Sequence, residues 1–417
     1  MVESAIEEAD LKRRIRTALR SLGAAIDLLT NPPANLDLHA IEAPPDKIAA
    51  EAAILIREIA SVPDEELSCE ALRLADRLRP FASSPRIVTA IAIRPAVAMD
   101  LAAPHVLLSS LGICDADVEA ALTRSLRSFV SGVRERLPHR ALEQDWLDAL
   151  RTGDDCIDRW VADTALARGL DLLSANRDDL YAFTHALAYS TDFGRWQPPQ
   201  VIDTEHAASL ADSALATVLD ADDFDLAAEL LLTWPCLGLP MSTTAYFAFQ
   251  VLKRVEDDAG ILPSLSISIE DIERQPPDIR SAYATAVSYH TAFVMGILCA
   301  VLLRRKLGNS KMVSEPPVIP VTRELLNSLQ CGKSNVQWMS NIQALPECKL
   351  TEITPFLMDV ALFRAVRSMK LASARDLLLR TITQGVPGTF FALQVSEALS
   401  RIAASQHLIK IESDAMA

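Results

Sequence analysis

The stretch SAYATAVSYHTAFVMGILCAVLL, residues 281–303, contains no Asp, Glu, Lys or Arg, and a basic triplet follows it at 304–306. Its length is that of a membrane span, and the basic triplet is typical of a stop-transfer flank. Its first half, however, carries Ser, Tyr, Thr and His side chains, and the chain has no second stretch of this kind. We therefore predict a helix that is buried on all sides in the core of a large soluble protein.

The composition of the whole chain favours helices around this segment. Of its 417 residues, 50% are hydrophobic and only 5% are aromatic, and glycine is scarce at 13. Alanine and leucine, which have high helix propensity, dominate, and no segment shows the sustained alternation of apolar and polar residues that is typical of strands. Prolines separate the segments in which apolar residues recur at helical spacing. The sequence predicts an all-α fold in which helices are paired by short turns.

The acidic balance of the chain limits its partners. It has 40 basic and 55 acidic residues, a formal net charge of −15, and no long basic run. Nucleic acids and anionic membranes attract basic surfaces, so we expect neither as a partner, and we expect no membrane span. The seven cysteines include no C-x-x-C pair, and the N-terminus lacks the apolar core of a signal peptide. Both observations indicate a cytoplasmic protein with reduced thiols.

A break in the helical pattern divides the chain near residue 152. The sequence T-G-D-D at 152–155 interrupts the spacing, because glycine and aspartate favour turns. We predict an N-terminal helical region at 1–150 and a helical domain at 151–417 that carries the candidate site. In the first region, Asp46 is the predicted N-cap of one helix and Pro80 marks the predicted end of the next.

The stretch YAFTHALAYSTDFG, residues 181–194, collects polar side chains in an apolar part of the chain. Tyr181, His185, Tyr189 and Asp192 follow one another at spacings that place them on one face of a helix. An imidazole beside a carboxylate is typical of a general base with its orienting partner. The alternative is structural, with Asp192 as a cap of the backbone that follows and His185 as a core histidine with satisfied hydrogen bonds.

The segment at 281–303 repeats this chemistry, because it carries a Y-H-T triplet, and all five tyrosines of the chain lie between residues 181 and 289. Either these phenols fill a central core and hydrogen-bond across it, or they line a polar and aromatic cavity. If both helices face one cavity, the predicted catalytic residues are His185, Asp192, His290, Tyr189 and Tyr289. The predicted substrate-binding residues are then Tyr181, Thr184, Thr191, Tyr246, Tyr283 and Thr291.

We expect no cofactor at this site. Two histidines and one carboxylate, here His185, His290 and Asp192, are a set that can hold Zn(II) or Fe(II). Their spacing in the sequence does not distinguish a metal site from acid–base chemistry without a metal, and we favour the latter.

Two turns carry a related pattern, in which a Gln or an acidic residue precedes a glycine and a proline lies close by. They read DDAGILP at 257–263 and QGVPGTFF at 384–391. These turns resemble the degenerate Q/D-x-x-G-x-F/L motifs in the α/α toroids of terpenoid cyclases and protein prenyltransferases. The stretch at 181–194 also resembles a motif of uncharacterised bacterial helical proteins, a His followed by Y/F-x-T-D-F-G. The resemblance, which covers residues 150–405, implies an α/α toroid or solenoid with a central cavity.

The sequence D-A-D-D at 220–223 fits the D-x-D-D motif with which protonating terpenoid cyclases supply a catalytic acid. Such an acid must stay protonated in an aromatic cavity that stabilises carbocations. The chain has few aromatic residues, and acidic residues also suit the N-terminus of an ordinary helix. We therefore favour a helix cap for Asp220, Asp222 and Asp223.

These observations favour a soluble helical enzyme of bacterial small-molecule (specialised) metabolism. We expect acid–base cyclisation, isomerisation or elimination of a hydrophobic small molecule held in a central cavity, with His185 as the acid or base. The alternative is a non-catalytic helical-repeat scaffold or ligand-binding protein, which would bind its partner on an open concave face.

Overall fold

The part of the chain that the structure describes consists of helices joined by turns and loops. The computed structural model describes residues 6–41, 43–128, 137–153, 161–265, 269–306, 320–330, 336–343, 345 and 347–416. These residues form α-helices, one short 3-10 helix and turns, and they form no strand. The predicted all-α class is confirmed.

The helices before residue 153 fit the predicted pattern, with two shifted ends. They are α1 (Glu8–Thr30), α2 (Pro45–Ala60), α3 (Glu65–Ala82), α4 (Pro85–Ile93), α5 (Ala98–Ser109), α6 (Ala116–Ser128) and α7 (Pro138–Thr152). Asp46 is not the N-cap of α2, because the helix begins at Pro45, and proline suits the first helical position. Pro80 does not end α3, since a proline so near the end of a helix removes a single backbone hydrogen bond.

The remaining helices form a middle and a C-terminal part. The middle part contains α8 (Ala165–Arg168), α9 (Arg177–Ser190), α10 (Thr204–Asp220), α11 (Phe224–Leu231), α12 (Thr233–Leu237), α13 (Thr243–Ala259), α14 (Ile269–Arg274) and α15 (Arg280–Arg305). The C-terminal part contains α16 (Pro320–Gln330), α17 (Gln337–Gln343), α18 (Glu347–Glu352), α19 (Thr354–Arg367), α20 (Leu371–Thr383) and α21 (Phe390–Met416).

Helix α15 is the long apolar segment, and it packs against α1, α2, α11 and α12. At Gly296 a Cβ atom would lie 2.4 Å from the Cβ of Ala18 and 2.9 Å from Leu55, so only glycine lets α15 approach α1 and α2 this closely. The helix is long and apolar enough to span a membrane, but 83% of its apolar window is buried inside the protein. This burial agrees with the predicted core helix of a soluble protein.

Helices from both sides of the predicted boundary near residue 150 share one hydrophobic core, which includes Leu11 and Val395. Helix α7 packs against α9, and α1 and α2 pack against α15. Gly153 ends α7 with a left-handed φ of 74°, whereas Asp154 and Asp155 of the T-G-D-D sequence lie outside the described residues. The division into regions 1–150 and 151–417 stays a prediction.

A buried carboxyl group lies where α10, α19 and the start of α21 meet. Asp359 accepts hydrogen bonds from Ser213, at 2.7 Å, and from Thr389. It is buried and forms no ion pair with the residues that the structure describes. Burial raises the pKa of Asp359 from its ordinary value of 3.8 to about 7. The folded protein therefore keeps this group protonated until the pH is nearly neutral.

The substitution Asp359→Asn should change how stability depends on pH. The unfolded chain ionises Asp359 near its ordinary pKa of 3.8, whereas the folded protein does so near 7. The unfolding free energy of the wild type should therefore fall as the pH rises between these values, by at most roughly 4 kcal/mol for this group. Asparagine cannot ionise, so the variant should gain stability relative to the wild type over that range. Chemical denaturation from pH 4 to pH 8 measures the difference, and a difference that does not vary with pH would contradict the assignment.

Candidate functional site

Helix α9 presents Tyr181, His185 and Tyr189 on one face, as their spacing predicts. The ring centroids of Tyr181 and His185 lie 5.8 Å apart, and those of His185 and Tyr189 also lie 5.8 Å apart. A capping box fixes the start of the helix, because Asn176 and Asp179 each accept a hydrogen bond from the backbone N–H of the other. Because these residues are four positions apart, the rings of Tyr181, His185 and Tyr189 follow one another along one face of α9.

The T-D-F-G segment forms a turn after α9, which ends at Ser190. Asp192, Phe193 and Gly194 have left-handed φ values of 46°, 53° and 81°. At Gly194 a Cβ atom would lie 2.8 Å from the carbonyl oxygen of Pro235, so the contact between this turn and α12 requires glycine. The predicted helical face therefore stops before Asp192.

Asp192 is bonded to partners that the sequence did not predict. Its Oδ1 and Oδ2 lie 2.6 and 2.8 Å from the two terminal nitrogens of Arg57, and Oδ1 also accepts from Nε1 of Trp146 at 2.9 Å. Burial raises the pKa of Asp192, but Arg57 outweighs burial and lowers it below the ordinary value. The predicted pairing of Asp192 with His185 is therefore wrong, since both carboxylate oxygens are engaged elsewhere.

His185 is paired instead with Glu229 of α11. The Nε2 atom of His185 lies 3.6 Å from Oε2 of Glu229, and the hydroxyl of Thr184 donates to the same oxygen at 2.5 Å. Glu229 follows Asp225 by one turn of α11, so both carboxylates lie on the same face of that helix. The residue that orients His185 thus comes from a different helix.

His290 of α15 joins the same group of side chains. Its Nδ1 lies 2.8 Å from Oε2 of Glu51 on α2, and its Nε2 lies 3.5 Å from Oδ1 of Asp225 and 3.8 Å from Oε1 of Glu229. We call the five residues Glu51, His185, Asp225, Glu229 and His290 the histidine–carboxylate cluster. The cluster draws on four helices, and it places both predicted histidines at one site.

The histidines are the most exposed members of the cluster. The side chains of His185 and His290 are each 28% exposed, that of Glu51 is 20% exposed, and those of Glu229 and Asp225 are 7% and 4% exposed. Part of each imidazole therefore reaches the surface, whereas Nδ1 of His185 is buried.

Charge pairing sets the protonation of the two histidines. Burial lowers the pKa of His290, but Glu51 and Asp225 outweigh burial and raise it to about 10. Burial also opposes the charged form of His185, and Glu229 outweighs it, so the pKa of His185 is raised. The cluster thus favours the imidazolium form of both residues.

The same pairing acts on the carboxylates. Burial raises the pKa of Glu51 and of Glu229, but the neighbouring histidines outweigh it and lower both values. For Asp225 burial prevails, so its pKa is raised although His290 opposes this. The hydroxyl of Tyr181 donates a hydrogen bond to Oδ2 of Asp225, whereas Oδ1 has no hydrogen bond with the described residues. Asp225 is therefore the carboxyl group of the cluster that most readily holds a proton.

A third histidine lies against the cluster. The ring of His139, at the start of α7, is 6.1 Å from the ring of His185. Burial, together with the positive charges of His185 and Arg140, lowers the pKa of His139 to about 4. His139 is therefore neutral under conditions in which His290 is a cation.

Three further predicted residues lie beside the cluster. Tyr189 stacks on Trp146 with ring centroids 4.9 Å apart. Tyr289 and Thr291 flank His290 on α15, and their buried hydroxyls form no hydrogen bond with the described residues. Burial and the nearby carboxylate of Glu51 raise the pKa of Tyr289. These side chains form the less accessible wall of the site.

The remaining predicted residues lie away from the cluster. The hydroxyl of Thr191 donates to the carbonyl of Leu187 and accepts from the N–H of Gly194, so it stabilises the turn after α9. Tyr246 on α13 and Tyr283 in the first turn of α15 form no hydrogen bond, ion pair or ring contact with the cluster in the described part of the chain. The structure does not bring these three residues to the site.

The sequence matches a protein family model over residues 15–300, a span that runs from α1 to α15. The family is described as a domain of unknown function, DUF6895. The chain belongs to this family. Comparison with curated proteins and with solved structures found no match. The DUF6895 span includes every member of the histidine–carboxylate cluster and His139, and the helices after α15 lie beyond it.

Four residues of the site within the DUF6895 span were not predicted from the sequence: Glu51, His139, Asp225 and Glu229. Three of them had a recognisable signal. Glu51 is the only charged residue in the apolar run IAAEAAILI at 48–56, and Asp225 and Glu229 are the acids of FDLAAELL at 224–231. Because an acid on a buried helix must be paired, isolated acids in apolar helices predict polar contacts in the core.

The D-A-D-D sequence at 220–223 joins the end of α10 to the start of α11. Asp223 accepts from the backbone N–H of Leu226, so its predicted role as a cap of α11 is confirmed. Asp220 is not a cap, since it is bonded to Arg364 and accepts from Trp338. Asp222 accepts from a backbone N–H of α17 instead. Both therefore hold the C-terminal helices against α10.

Among the residues that the structure describes, no group of three or more His, Cys, Asp or Glu side chains could hold a metal ion. The suggested set of His185, Asp192 and His290 is not assembled, because Asp192 is bonded to Arg57 and Trp146.

His139 and His290 should titrate in different pH ranges. We expect His139 to become protonated only near pH 4, because burial and the positive charges of His185 and Arg140 lower its pKa, and His290 to lose its proton only near pH 10, because carboxylates outweigh burial. Nitrogen-15 NMR of the imidazole rings, assigned with single His→Gln variants, measures both values. If both rings titrated between pH 6 and pH 7, the charge pairing described here would be contradicted.

Proposed function

We propose that the chain is an enzyme that transfers protons on a small organic molecule at the histidine–carboxylate cluster. The observation that carries the proposal is the pair of partly exposed imidazoles, His185 and His290, backed by the almost fully buried carboxylates of Asp225 and Glu229. In general acid–base catalysis, a carboxylate fixes the orientation and protonation of a histidine whose other side faces the substrate.

The cluster is a costly way to build a core. Its ionisable groups lose hydration, and ion pairs rarely compensate for this loss better than apolar side chains of similar size would. Nδ1 of His185 is buried and has no hydrogen bond with the described residues. Unpaired polar atoms are rare in protein cores, so this nitrogen favours a site that a ligand completes.

The two histidines suit different tasks. His290 remains an imidazolium because Glu51 and Asp225 raise its pKa to about 10, so it can stabilise negative charge that develops on a substrate oxygen. His185 has Glu229 as its carboxylate partner, and it is the better proton donor because its second ring nitrogen has no hydrogen bond with the described residues. Cyclisation, isomerisation and elimination all require such a donor.

The proposal includes an arrangement of helices like that of an α/α toroid or solenoid. Support comes from the packing of consecutive helices, α2 with α3, α10 with α11 and α19 with α20. The glycines of the two related turns, Gly260 and Gly385, also share a left-handed backbone, with φ values of 81° and 72°. The proposal also includes a hydrophobic substrate, a cytoplasmic location and a reaction that needs no cofactor.

A second candidate function is that of a non-catalytic binding protein. Leu379 and Ile382 of α20 and Leu393 of α21 are more than half exposed, and exposed apolar side chains are typical of surfaces that bind partners. These helices follow the part of the chain that matches the family. Under this alternative the C-terminal helices carry the function and the cluster is structural.

Uptake of deuterium from solvent tests the enzyme proposal without a known substrate. A complex bacterial metabolite extract incubated in D2O with the protein should contain compounds that gain deuterium, as mass spectrometry detects. The substitution His185→Gln should slow this uptake by at least about 100-fold, since a general acid or base contributes about 10²–10⁴-fold to a rate.

His39→Gln is the matched control, because it changes an exposed histidine on the loop after α1. This variant should retain the wild-type rate. Equal uptake by the wild type and His185→Gln, or no uptake above that of the extract alone, would refute the proposed enzyme.

A further inference from the structure

His139 and His185 are two neighbouring imidazoles with unused nitrogens. Their ring centroids are 6.1 Å apart, and the ring planes are tilted by 57°. His139 forms no hydrogen bond or ion pair with the residues that the structure describes. In His185, Nε2 faces Glu229, whereas Nδ1 is buried and has no hydrogen bond to any residue in the described part of the chain.

These unused nitrogens define what a ligand must provide. A buried ring N–H without an acceptor costs free energy that a bound oxygen atom would recover. A neutral imidazole beside it offers a lone pair, which accepts a proton. A ligand that pairs with both histidines therefore has an oxygen that accepts a hydrogen bond and, next to it, an acidic hydrogen.

We infer that His139 and His185 act together on a carbonyl compound that has a hydrogen on the neighbouring carbon. His185 is the acid at the carbonyl oxygen, and His139 is the base at the carbon. The inference rests on the proposed function, and it adds a substrate class and a second catalytic residue that sequence analysis did not identify.

The step is an enolisation. His139 removes a proton from the carbon next to the carbonyl group, and the electron pair of the broken C–H bond forms a C=C bond. The π electrons of the C=O bond take the proton from Nδ1 of His185 and form an O–H bond. The products are a neutral enol, a neutral His185 and a protonated His139, so atoms and charge balance without an oxidant. In an enediol or a dienol, protonated His139 can return its proton to a different carbon while His185 takes back an O–H proton, which restores a carbonyl group and completes an isomerisation.

The charges of the site favour the coupling of the two proton transfers. Burial and the positive charges of His185 and Arg140 keep the pKa of His139 low. When His185 gives its proton to the substrate, it loses its positive charge and no longer lowers the pKa of His139. His139 therefore becomes more basic at the moment when it accepts the proton from carbon.

Deuterium exchange into simple carbonyl compounds tests the inference. The probes are pyruvate, dihydroxyacetone and cyclohexanone in D2O, and proton NMR follows the loss of the hydrogens next to the carbonyl group. We expect the wild type to accelerate exchange of at least one probe. His139→Gln and His185→Gln should each slow this exchange by at least about 100-fold, whereas His39→Gln should not.

Chemical rescue separates catalysis by His139 from a structural role. Added imidazole should restore exchange to His139→Gly, because free imidazole can replace the missing base, whereas it cannot repair a misfolded protein. Thermal unfolding of each variant near the wild-type temperature completes this control. Failure of rescue in a folded His139→Gly would count against His139 as the base.

The outcomes also distinguish this inference from the proposed function. Exchange that survives in His139→Gln but not in His185→Gln would overturn the inference and leave the proposed function standing. The same holds if no probe exchanges while deuterium uptake from the metabolite extract still depends on His185. Absence of any His185-dependent uptake in either experiment would overturn both.

Discussion

The hydrogen bond between Glu51 and His290, 2.8 Å long, is the interaction on which the arrangement of the site depends. His290 lies on α15, which packs closely against α1 and α2 because Gly296 has no side chain to separate them. A histidine fixed at such a place requires counter-charges, and Glu51 and Asp225 supply them from two other helices. Glu229, which lies 3.8 Å from Nε2 of His290, also lies 3.6 Å from Nε2 of His185, so it links the two histidines.

Two polar networks of the protein differ in how completely they are bonded. Around Asp192 the carboxylate is bonded at both oxygens, and Glu58 accepts from Arg195 at 2.5 Å and from Arg304 at 2.6 Å. This network ties α2, the turn after α9 and the end of α15 together. Around His185, by contrast, polar atoms remain without hydrogen bonds in the described part of the chain. The first network is suited to holding helices, and the second to receiving a ligand.

The T-D-F-G segment illustrates which parts of the site a sequence can predict. The all-α class, the buried helix and the shared face of Tyr181, His185 and Tyr189 depend on local propensity and spacing, so they could be predicted. The position of Asp192 depends on a turn whose glycine meets the carbonyl of Pro235, and its partner Arg57 lies 135 residues away in the sequence. Helical spacing contains no information about such tertiary contacts, so the predicted pairing of Asp192 with His185 was wrong.

The acidic members of the cluster were missed for a related reason. Glu229 follows the acidic residues of D-A-D-D, which were interpreted as an ordinary helix start because charge near a helix N-terminus has a sufficient local explanation. Its pairing with His185 became visible only when α9 and α11 were placed side by side. Conversely, Asp223 did follow the local rule, since its cap hydrogen bond needs only the next three residues.

The central claim is that the histidine–carboxylate cluster is retained for chemistry and not for stability. The equilibrium unfolding free energy of Asp225→Asn at pH 7 tests this claim most directly. Burial raises the pKa of Asp225, so its carboxylate form disfavours the folded state, and asparagine can still accept the hydrogen bond from Tyr181. We predict a variant that is at least as stable as the wild type. A loss of about 3–5 kcal/mol, as expected when a buried ion pair that supports the core is broken, would contradict the claim.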